Sequence, residues 1–377
     1  MKNRVKVNQL ALLLLLLIPG GKYLTLPAFI CRYAGRDEWI SVIILFALDL
    51  ICLFFILWGI KCNAKGLSLK DILKSTLSPV GSVILFSILA VFFLIRSINL
   101  LVSTYEVFST TFAVKSNWLG FAIPVCALCF FVISRGFNSI VRMSSFLATF
   151  ILLALALIMA FASPSATYSN IKPYLEFGLT PVVKGAFNST FWFSDYLFIL
   201  LIMEDIKDRR KIFVSIPVCF IFGATMTVLM QLLFIGLFGE LSPYSYIAIS
   251  KVSQFTAYIS DNGRLDWLSL SIWFFAIFLK LFTMLFCCYK CFIEIFVKNK
   301  QKINYFWLSI IFLPILAIPL IAPMDTVMYG WFGIGAGKYV FWVVQYALPL
   351  SIPLLTKLAN KNIKGLNVEV THYENSN

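Results

Sequence analysis

The sequence predicts an all-helical membrane protein that crosses the bilayer ten times, in two inverted repeats of five spans each. Three observations predict this fold. The 377 residues are 60% hydrophobic and only 13% charged, about half the charged share of an ordinary soluble domain. Apolar runs long enough to span a bilayer, which takes about 20 helical residues, recur along the chain. The first and sixth runs are interrupted, at equivalent places in the two halves, as in transporters built from inverted repeats.

The apolar runs organise the chain as one transporter-like transmembrane domain over residues 1–360. In order, the predicted spans cover residues 8–34, 38–60, 80–112, 118–135, 140–163, 181–203, 212–239, 264–297, 304–322 and 335–358. The linker 66–78 is predicted to form a short interfacial helix, and the segment 241–263 to pack at the outer interface. Residues 361–377 are polar and are predicted to form a cytoplasmic tail.

The basic residues set the expected orientation. The net charge of +14 is not gathered into a basic domain of the kind that binds nucleic acid, so no nucleic-acid partner is expected. Instead, twenty basic residues fall in the loops and termini of one side and eight in those of the other. Because lysine and arginine accumulate on the cytoplasmic side, both termini are predicted to be cytoplasmic.

Span 1 is interrupted near its middle by Pro19, Gly20, Gly21 and Lys22. Non-helical backbone at membrane depth is tolerated only where protein buries it or where it lines a cavity. Two half-helices meeting there would direct amide groups and a dipole end toward a small ligand. The predicted ligand-binding residues of this span are Gly20, Gly21, Lys22, Tyr23 and Thr25.

Span 6 carries a polar patch among aromatic residues, which we expect to be a weaker break than that of span 1. The patch begins at 188–190 (Asn-Ser-Thr) and ends at Ser194 and Asp195. Since spans 1 and 6 are equivalent in the two repeats, their breaks should meet near the bilayer midplane. Phe191 and Trp192 would then form aromatic walls of the binding site, with Ser194 beside them.

Charged residues inside the spans are expensive, at about 2.5–3.5 kcal/mol each near the bilayer centre, and should face the bundle interior. They are Lys22, Asp49, Arg96, Glu106, Asp195 and Lys280. In one interpretation they form internal ion pairs that fix the packing, such as Arg96 with Asp195 or Glu106. In the other they leave a net cationic cavity that suits a carboxylate. Lys22 or Lys280 could also carry a proton.

Two further candidates share a helix face with these charges. Asn99 lies three residues after Arg96, and Trp273 lies seven residues before Lys280. Residues at these spacings project from the same side of a helix. Asn99 and Trp273 are therefore predicted to line the same binding site.

The composition gives no support to an enzyme. The nine cysteines lie mostly inside apolar runs, and the single histidine, His372, is in the predicted tail. Buried apolar thiols are the better interpretation of such cysteines than metal or redox sites. We find no paired nucleophile and base, no metal constellation and no nucleotide-binding loop, so no cofactor is expected.

Several stretches resemble the B subunits of bacterial spore germinant receptors. The first is 24–27 (Leu-Thr-Leu-Pro), followed by 34–41 (Ala-Gly-Arg-Asp-Glu-Trp-Ile-Ser). The others are Arg96 followed by Glu106, the segment 178–185, and the segment 263–266 ahead of Trp273 and Lys280. The resemblance covers about residues 5–360. Two positions depart from the family pattern: Lys22 replaces a small or apolar residue, and Glu204-Asp205 stands where a proline is common.

The resemblance implies a fold and a role. The family belongs to the amino acid–polyamine–organocation transporter superfamily, whose fold is the inverted five-plus-five arrangement. It implies a subunit of the spore inner membrane that binds a germinant, commonly an amino acid, and works with an A subunit and a lipoprotein C subunit. The alternative is a proton-coupled amino acid permease with the same site. One scaffold can serve both functions, and the resemblance favours the receptor.

Overall fold

The computed structural model describes residues 5–63, 66–112, 116–206, 211–245, 252, 265–296, 303–321, 335 and 337–374, without the side chains of 265–270 and 363–374. Apart from one bridge between Val5 and Ile206, the regular structure of these residues is helical. The first seven helices are α1 (Val7–Gly20), α2 (Lys22–Ala34), α3 (Glu38–Cys62), α4 (Leu69–Thr76), α5 (Pro79–Thr111), α6 (Trp118–Ser134) and α7 (Phe137–Ala162).

The second half of the chain repeats the pattern. Its helices are α8 (Leu179–Asn188), α9 (Phe198–Ile202), α10 (Ile212–Phe238), α11 (Leu265–Phe296), α12 (Tyr305–Ile321), α13 (Gly337–Trp342) and α14 (Leu348–Glu374). In the described part of the chain, helical runs thus coincide with all ten predicted spans, and the predicted fold class is confirmed. Among the described residues, six helical segments are long and apolar enough to cross a membrane, and α1, α6 and α12 are shorter apolar helices.

Span 1 runs through the middle of the bundle. Eleven of the fourteen residues of α1 are buried, on every side of the helix, and α1 packs against α7, α10 and α11. A helix that is apolar all round belongs in the core rather than at a surface. The break in span 1 therefore lies among other helices, which is where membrane proteins tolerate one.

The break between α1 and α2 is a single residue, Gly21. Its backbone angles (φ −124°, ψ −10°) are open to any residue type, so a left-handed conformation does not explain the glycine. Close approach does: a Cβ atom at Gly21 would lie 2.8 Å from the Leu100 Cδ1 atom, and one at Gly20 3.1 Å from the Ala276 carbonyl oxygen. The two glycines let α1 end against α5 and α11.

The break in span 6 is longer than that in span 1, so the expectation of a weaker break was wrong. The helix stops at Asn188 and resumes at Phe198, with two 3-10 turns between. Within this stretch Ser194 is left-handed, with φ 67°, an uncommon conformation for a residue with a side chain. Tertiary hydrogen bonds, described below, replace those that the helix loses.

The linkers and the end of the chain add three observations. The predicted linker helix is α4, which begins with a capping box between Ser68 and Asp71. The segment 241–263 lies mostly outside the described residues. Near the end of the chain, span 10 contains a π-helical turn, Val343–Ala347. Helix α14 then continues past residue 360 to Glu374, so the expected boundary of the polar tail falls inside a helix.

Candidate functional site

The centre of the bundle holds one carboxylate surrounded by three cations. Asp195, in the break of span 6, lies 2.5 Å from the Lys22 Nζ atom, 2.9 Å from the Arg96 Nη2 atom and 2.9 Å from the Lys280 Nζ atom. All four side chains are at most 4% exposed. The predicted pair of Arg96 with Asp195 is present, and Asp195 also binds Lys22 and Lys280.

The cations also bind backbone carbonyl groups at the two breaks. Lys22 donates to the Ile18 carbonyl at 3.0 Å, and Lys280 to the Leu17 carbonyl at 3.0 Å. Arg96 donates to the Trp192 carbonyl at 3.3 Å. The last carbonyl groups of a helix have no partner within it, so the lysines satisfy the end of α1.

Asp49 on α3 stabilises the unusual backbone of the span 6 break. It accepts a hydrogen bond from the Ser194 backbone N–H at 2.8 Å and is 3.4 Å from the Ser194 hydroxyl. Together with the Asp195 cluster, this gives three cations and two carboxylates within the core. If all five are ionised, one positive charge is in excess, which is the electrostatic setting that favours an anionic ligand.

A small cavity lies against this cluster between the two breaks. It has about 20 Å³ of space open to a water-sized sphere, room for a water molecule or so. Ligand pockets usually measure about 300–1,000 Å³, so the cavity is too small here for such a ligand. The lining residues are Gly21, Arg96, Asn99, Leu100, Ser103, Phe191, Trp192, Lys280 and Met284.

Two wider pockets lie beyond this cavity and share no lining residue with it. The terminal pocket, near the start of the chain, measures about 450 Å³ and includes Val5, Glu204 and Lys290. The far pocket, beyond the end of α2, measures about 470 Å³ and includes Arg36 and Glu240. The central cavity is thus distinct from the pockets at the two ends of the bundle.

The predicted site residues fall into three groups. Gly21, Arg96, Asn99, Phe191, Trp192 and Lys280 line the cavity. Lys22, Ser194 and Asp195 lie in the hydrogen-bonded network beside it. Gly20, Tyr23, Thr25 and Trp273 are buried but are not among the lining residues, and the Tyr23 ring stacks on that of Trp273 at 5.0 Å.

Glu106 stands apart from the cluster. It lies ten residues after Arg96 on the same helix, which is about 15 Å along the axis. The alternative pairing of Arg96 with Glu106 was therefore wrong, because two residues so far apart on one straight helix do not meet.

Sequence reasoning missed three cavity residues and the residues that hold span 6. Leu100, Ser103 and Met284 were recognisable, since each lies four residues after a predicted site residue, on the same helix face. Gln345 had no such signal. Its side-chain Nε2 atom donates to the Thr190 carbonyl at 3.0 Å, and its backbone carbonyl accepts from the Tyr196 hydroxyl at 2.8 Å.

Metal ligands are not gathered in the described part of the chain. There, no group of three or more His, Cys, Asp or Glu side chains is placed to hold a metal ion. The nine cysteines, all within the described ranges, are free thiols.

Comparison of the sequence with known families and curated proteins gives consistent results. The sequence model of a family described as spore germination protein matches residues 4–326. Spore germination protein XB of Bacillus anthracis is 25% identical over 80% of this chain and 82% of its own length. Spore germination protein KB of Bacillus subtilis (strain 168) is 24% identical over 56% of this chain and 57% of its own.

Comparison of the structure with solved structures identifies transporters. MhsT in complex with L-phenylalanine has a TM-score of 0.61 at 13% identity, over 93% of this chain and 87% of that one. Mhp1, a nucleobase-cation-symport-1 family transporter, closed with bromovinylhydantoin bound, has a TM-score of 0.55 at 12% identity, over 97% and 93%. At such identities the likeness concerns the fold: inverted repeats with broken helices.

Proposed function

The chain belongs to the spore germination protein family, and from this membership we propose that it is the germinant-binding membrane subunit of a spore germinant receptor. The germinant is a small molecule with a carboxylate, most simply an amino acid. It binds at the cavity between the breaks of spans 1 and 6. The observation that carries this proposal is the Arg96 guanidinium, which is held by Asp195 on one side and lines the cavity on the other.

The chemistry of Arg96 favours a carboxylate. Both of its hydrogen bonds within the described residues, to Asp195 and to the Trp192 carbonyl, use the Nη2 atom. A guanidinium has five N–H donors in a planar fork that matches a carboxylate. Lys280 lines the same cavity, and the excess positive charge of the cluster would be neutralised by an anionic ligand.

Binding would act by changing the conformation of the bundle. The cavity is smaller than an amino acid, so a ligand must stabilise a wider state than the one described. A ligand that binds one state better shifts the equilibrium toward it. In this proposal, A and C partner subunits in the spore inner membrane respond to that shift, and both termini of the chain are cytoplasmic.

The experiment is germination of spores that lack this gene, tested on a panel of single amino acids and salts. We expect loss of the response to one compound, restored by the wild-type gene but not by Asn99→Leu. Asn99 lines the cavity without belonging to the ion cluster, so leucine blocks the space and leaves the charges in place. Ser87→Leu, on the same helix but hydrogen-bonded to its own helix, is the control and should restore the response.

A permease is the second candidate, because a wider pocket lies at each end of the bundle, where alternating access would open the central site to one side at a time. Uptake of labelled amino acid into proteoliposomes that contain the purified chain separates the two functions. Uptake that Asn99→Leu abolishes, together with unchanged germination of spores lacking the gene, would overturn the receptor. Binding of the germinant without uptake would overturn the permease.

A further inference from the structure

The fold implies a site for a coupling cation beside the broken first span. Transporters of this architecture hold such ions with the carbonyl groups at the ends of half-helices, and Mhp1 is named as a cation symporter. In this chain the oxygen atoms gathered at the end of α1 are the carbonyls of Leu17 and Ile18 and the Asp195 carboxylate. Carbonyl and carboxylate oxygens are the ligands that hard metal cations prefer.

The residues present do not fit a bound metal cation. The Lys280 ammonium lies 3.0 Å from the Leu17 carbonyl oxygen and 3.0 Å from the Asp195 Oδ2 atom. The Lys22 ammonium lies 3.0 Å from the Ile18 carbonyl oxygen and 2.5 Å from Asp195. Protein ammonium groups therefore already use the oxygen atoms that a metal ion would need.

Space and charge exclude a metal ion as well. The gap beside Lys280 measures about 10 Å³, at the lower limit for a single water molecule. A further cation would join three buried cations around one carboxylate, where like charges repel strongly because the surroundings are apolar. The lack of space and the excess of positive charge both depend on the lysine side chains.

We infer that the Lys280 ammonium is a built-in replacement for the coupling cation of this fold, so that the protein needs no metal cation. Its removal opens a site for a monovalent metal cation, formed by the Leu17 carbonyl, the Asp195 carboxylate and the Thr283 hydroxyl. Lys280 and Thr283 are three residues apart on α11 and line the same gap. The inference deepens the proposed function. It rests on that function only in the second test below, which measures ligand binding.

The first test measures thermal unfolding of the purified full chain in detergent, in sodium chloride and in choline chloride of equal ionic strength. The wild type should have the same Tm in both salts. In choline, Lys280→Ser should have a lower Tm than the wild type. Sodium should raise the Tm of this variant saturably, by about 5 °C at a hundredfold excess over the dissociation constant. Lys280→Met should not respond to sodium, because its side chain fills the space.

The outcomes are decisive in both directions. A saturable sodium effect on the wild type would overturn the inference, since the cation position would then be open. If a folded Lys280→Ser variant has the same Tm in lithium, sodium, potassium and choline chloride, the metal site inferred for that variant is overturned. If Lys280→Ser is obtained folded only when purified in one of these salts, the inference is supported. If it is obtained in none of them while Lys280→Met folds, the inference fails.

A second test uses the ligand found in the germination panel. Its affinity for the wild type should be the same in sodium and in choline, and its affinity for Lys280→Ser should fall at least tenfold when sodium is replaced by choline. If Lys280→Ser binds the ligand more weakly than the wild type by the same factor in both salts, the inference that Lys280 replaces a cation is overturned. Because the thermal measurement needs no germinant, failure of the proposed function leaves the first test unaffected.

Discussion

Asp195 is the residue on which the buried charges depend. It is the shared partner of Lys22, Arg96 and Lys280, so its replacement leaves three cations in an apolar core with one carboxylate, Asp49, nearby. Breaking a buried ion pair by removing one partner typically costs about 3–5 kcal/mol, more than exchanging the whole pair for apolar groups. The cluster is therefore sensitive to single substitutions and tolerant of compensated ones.

We predict that Asp195→Asn lowers the free energy of unfolding by about 3–5 kcal/mol, seen as a large drop in Tm of the purified protein. Asp49→Asn is the matched control. The new amide oxygen still accepts the Ser194 backbone N–H, so its effect should be nearer the value of one hydrogen bond, about 1 kcal/mol. Equal losses in the two variants would show that the three cations do not depend on Asp195.

The adjacent glycines at the span 1 break should respond differently to alanine. A Cβ atom at Gly21 meets the flexible end of Leu100 beside the cavity, whereas one at Gly20 meets the backbone of α11. We predict that Gly21→Ala reduces ligand affinity with little change in Tm. Gly20→Ala should lower the free energy of unfolding by about 1–3 kcal/mol, as overpacking does. Tm and ligand affinity measured on both variants test this. A larger loss of stability in Gly21→Ala than in Gly20→Ala would contradict it.

At the scale of the helices, apolar length and buried charge made much of this fold predictable. The helical runs coincide with the predicted spans because crossing a bilayer takes about 20 predominantly apolar helical residues. The buried charges met because isolated charges are too costly in a bilayer. The pair of Arg96 with Asp195 was among the predicted ones, but that Lys22 and Lys280 share the same carboxylate was not predictable, since these residues come together only through tertiary packing around the span 6 break.

The long break in span 6 was underestimated because its stabilising partners lie far away in sequence. Asp49 and Gln345 supply hydrogen bonds from α3 and from the π-helical turn of span 10. π-helical turns occur mostly as single turns inside α-helices, frequently at functional sites, and no local sequence pattern marked this one. Here the backbone carbonyl of Gln345 accepts a hydrogen bond from the Tyr196 hydroxyl. The Gln345 side chain donates a second one to the Thr190 carbonyl, so both bonds reach span 6.

We predict that Gln345→Leu loosens the span 6 break. It removes the Nε2 donor from the Thr190 carbonyl, which still accepts the Phe193 backbone N–H, so the free energy of unfolding should fall by about 0.5–1.5 kcal/mol. Ligand binding should weaken, because Phe191 and Trp192 follow directly. The control is Val343→Leu, in the same turn but 61% exposed. Tm and binding affinity are the measurements, and equal behaviour of the two variants would contradict a role for the glutamine.

At the scale of the whole molecule, the ion cluster is closed off from the terminal pocket by aromatic rings. The gap beside Lys280 is lined by Phe198 and Cys287, and the terminal pocket by Phe137 and Phe286. The Phe137 ring contacts Phe198 on the side of the gap and Phe286 on the side of the terminal pocket. The ring centroids are 6.3 Å and 5.0 Å apart, respectively. An opening at this end of the bundle must therefore separate these rings.

Cys287 reports on that separation, because it is fully buried and lines the gap. We predict that a polar maleimide labels Cys287 very slowly in the wild type and at least tenfold faster in Phe137→Ala, in which the aromatic contact is lost. Phe146→Ala, a change at a ring that is 70% exposed, should leave the rate unchanged. Cys287→Ser in the Phe137→Ala background should remove the added signal, which assigns it to this thiol. If Phe137→Ala labels Cys287 no faster than the wild type does, the rings do not form the barrier, and the opening toward the terminal pocket must follow another path.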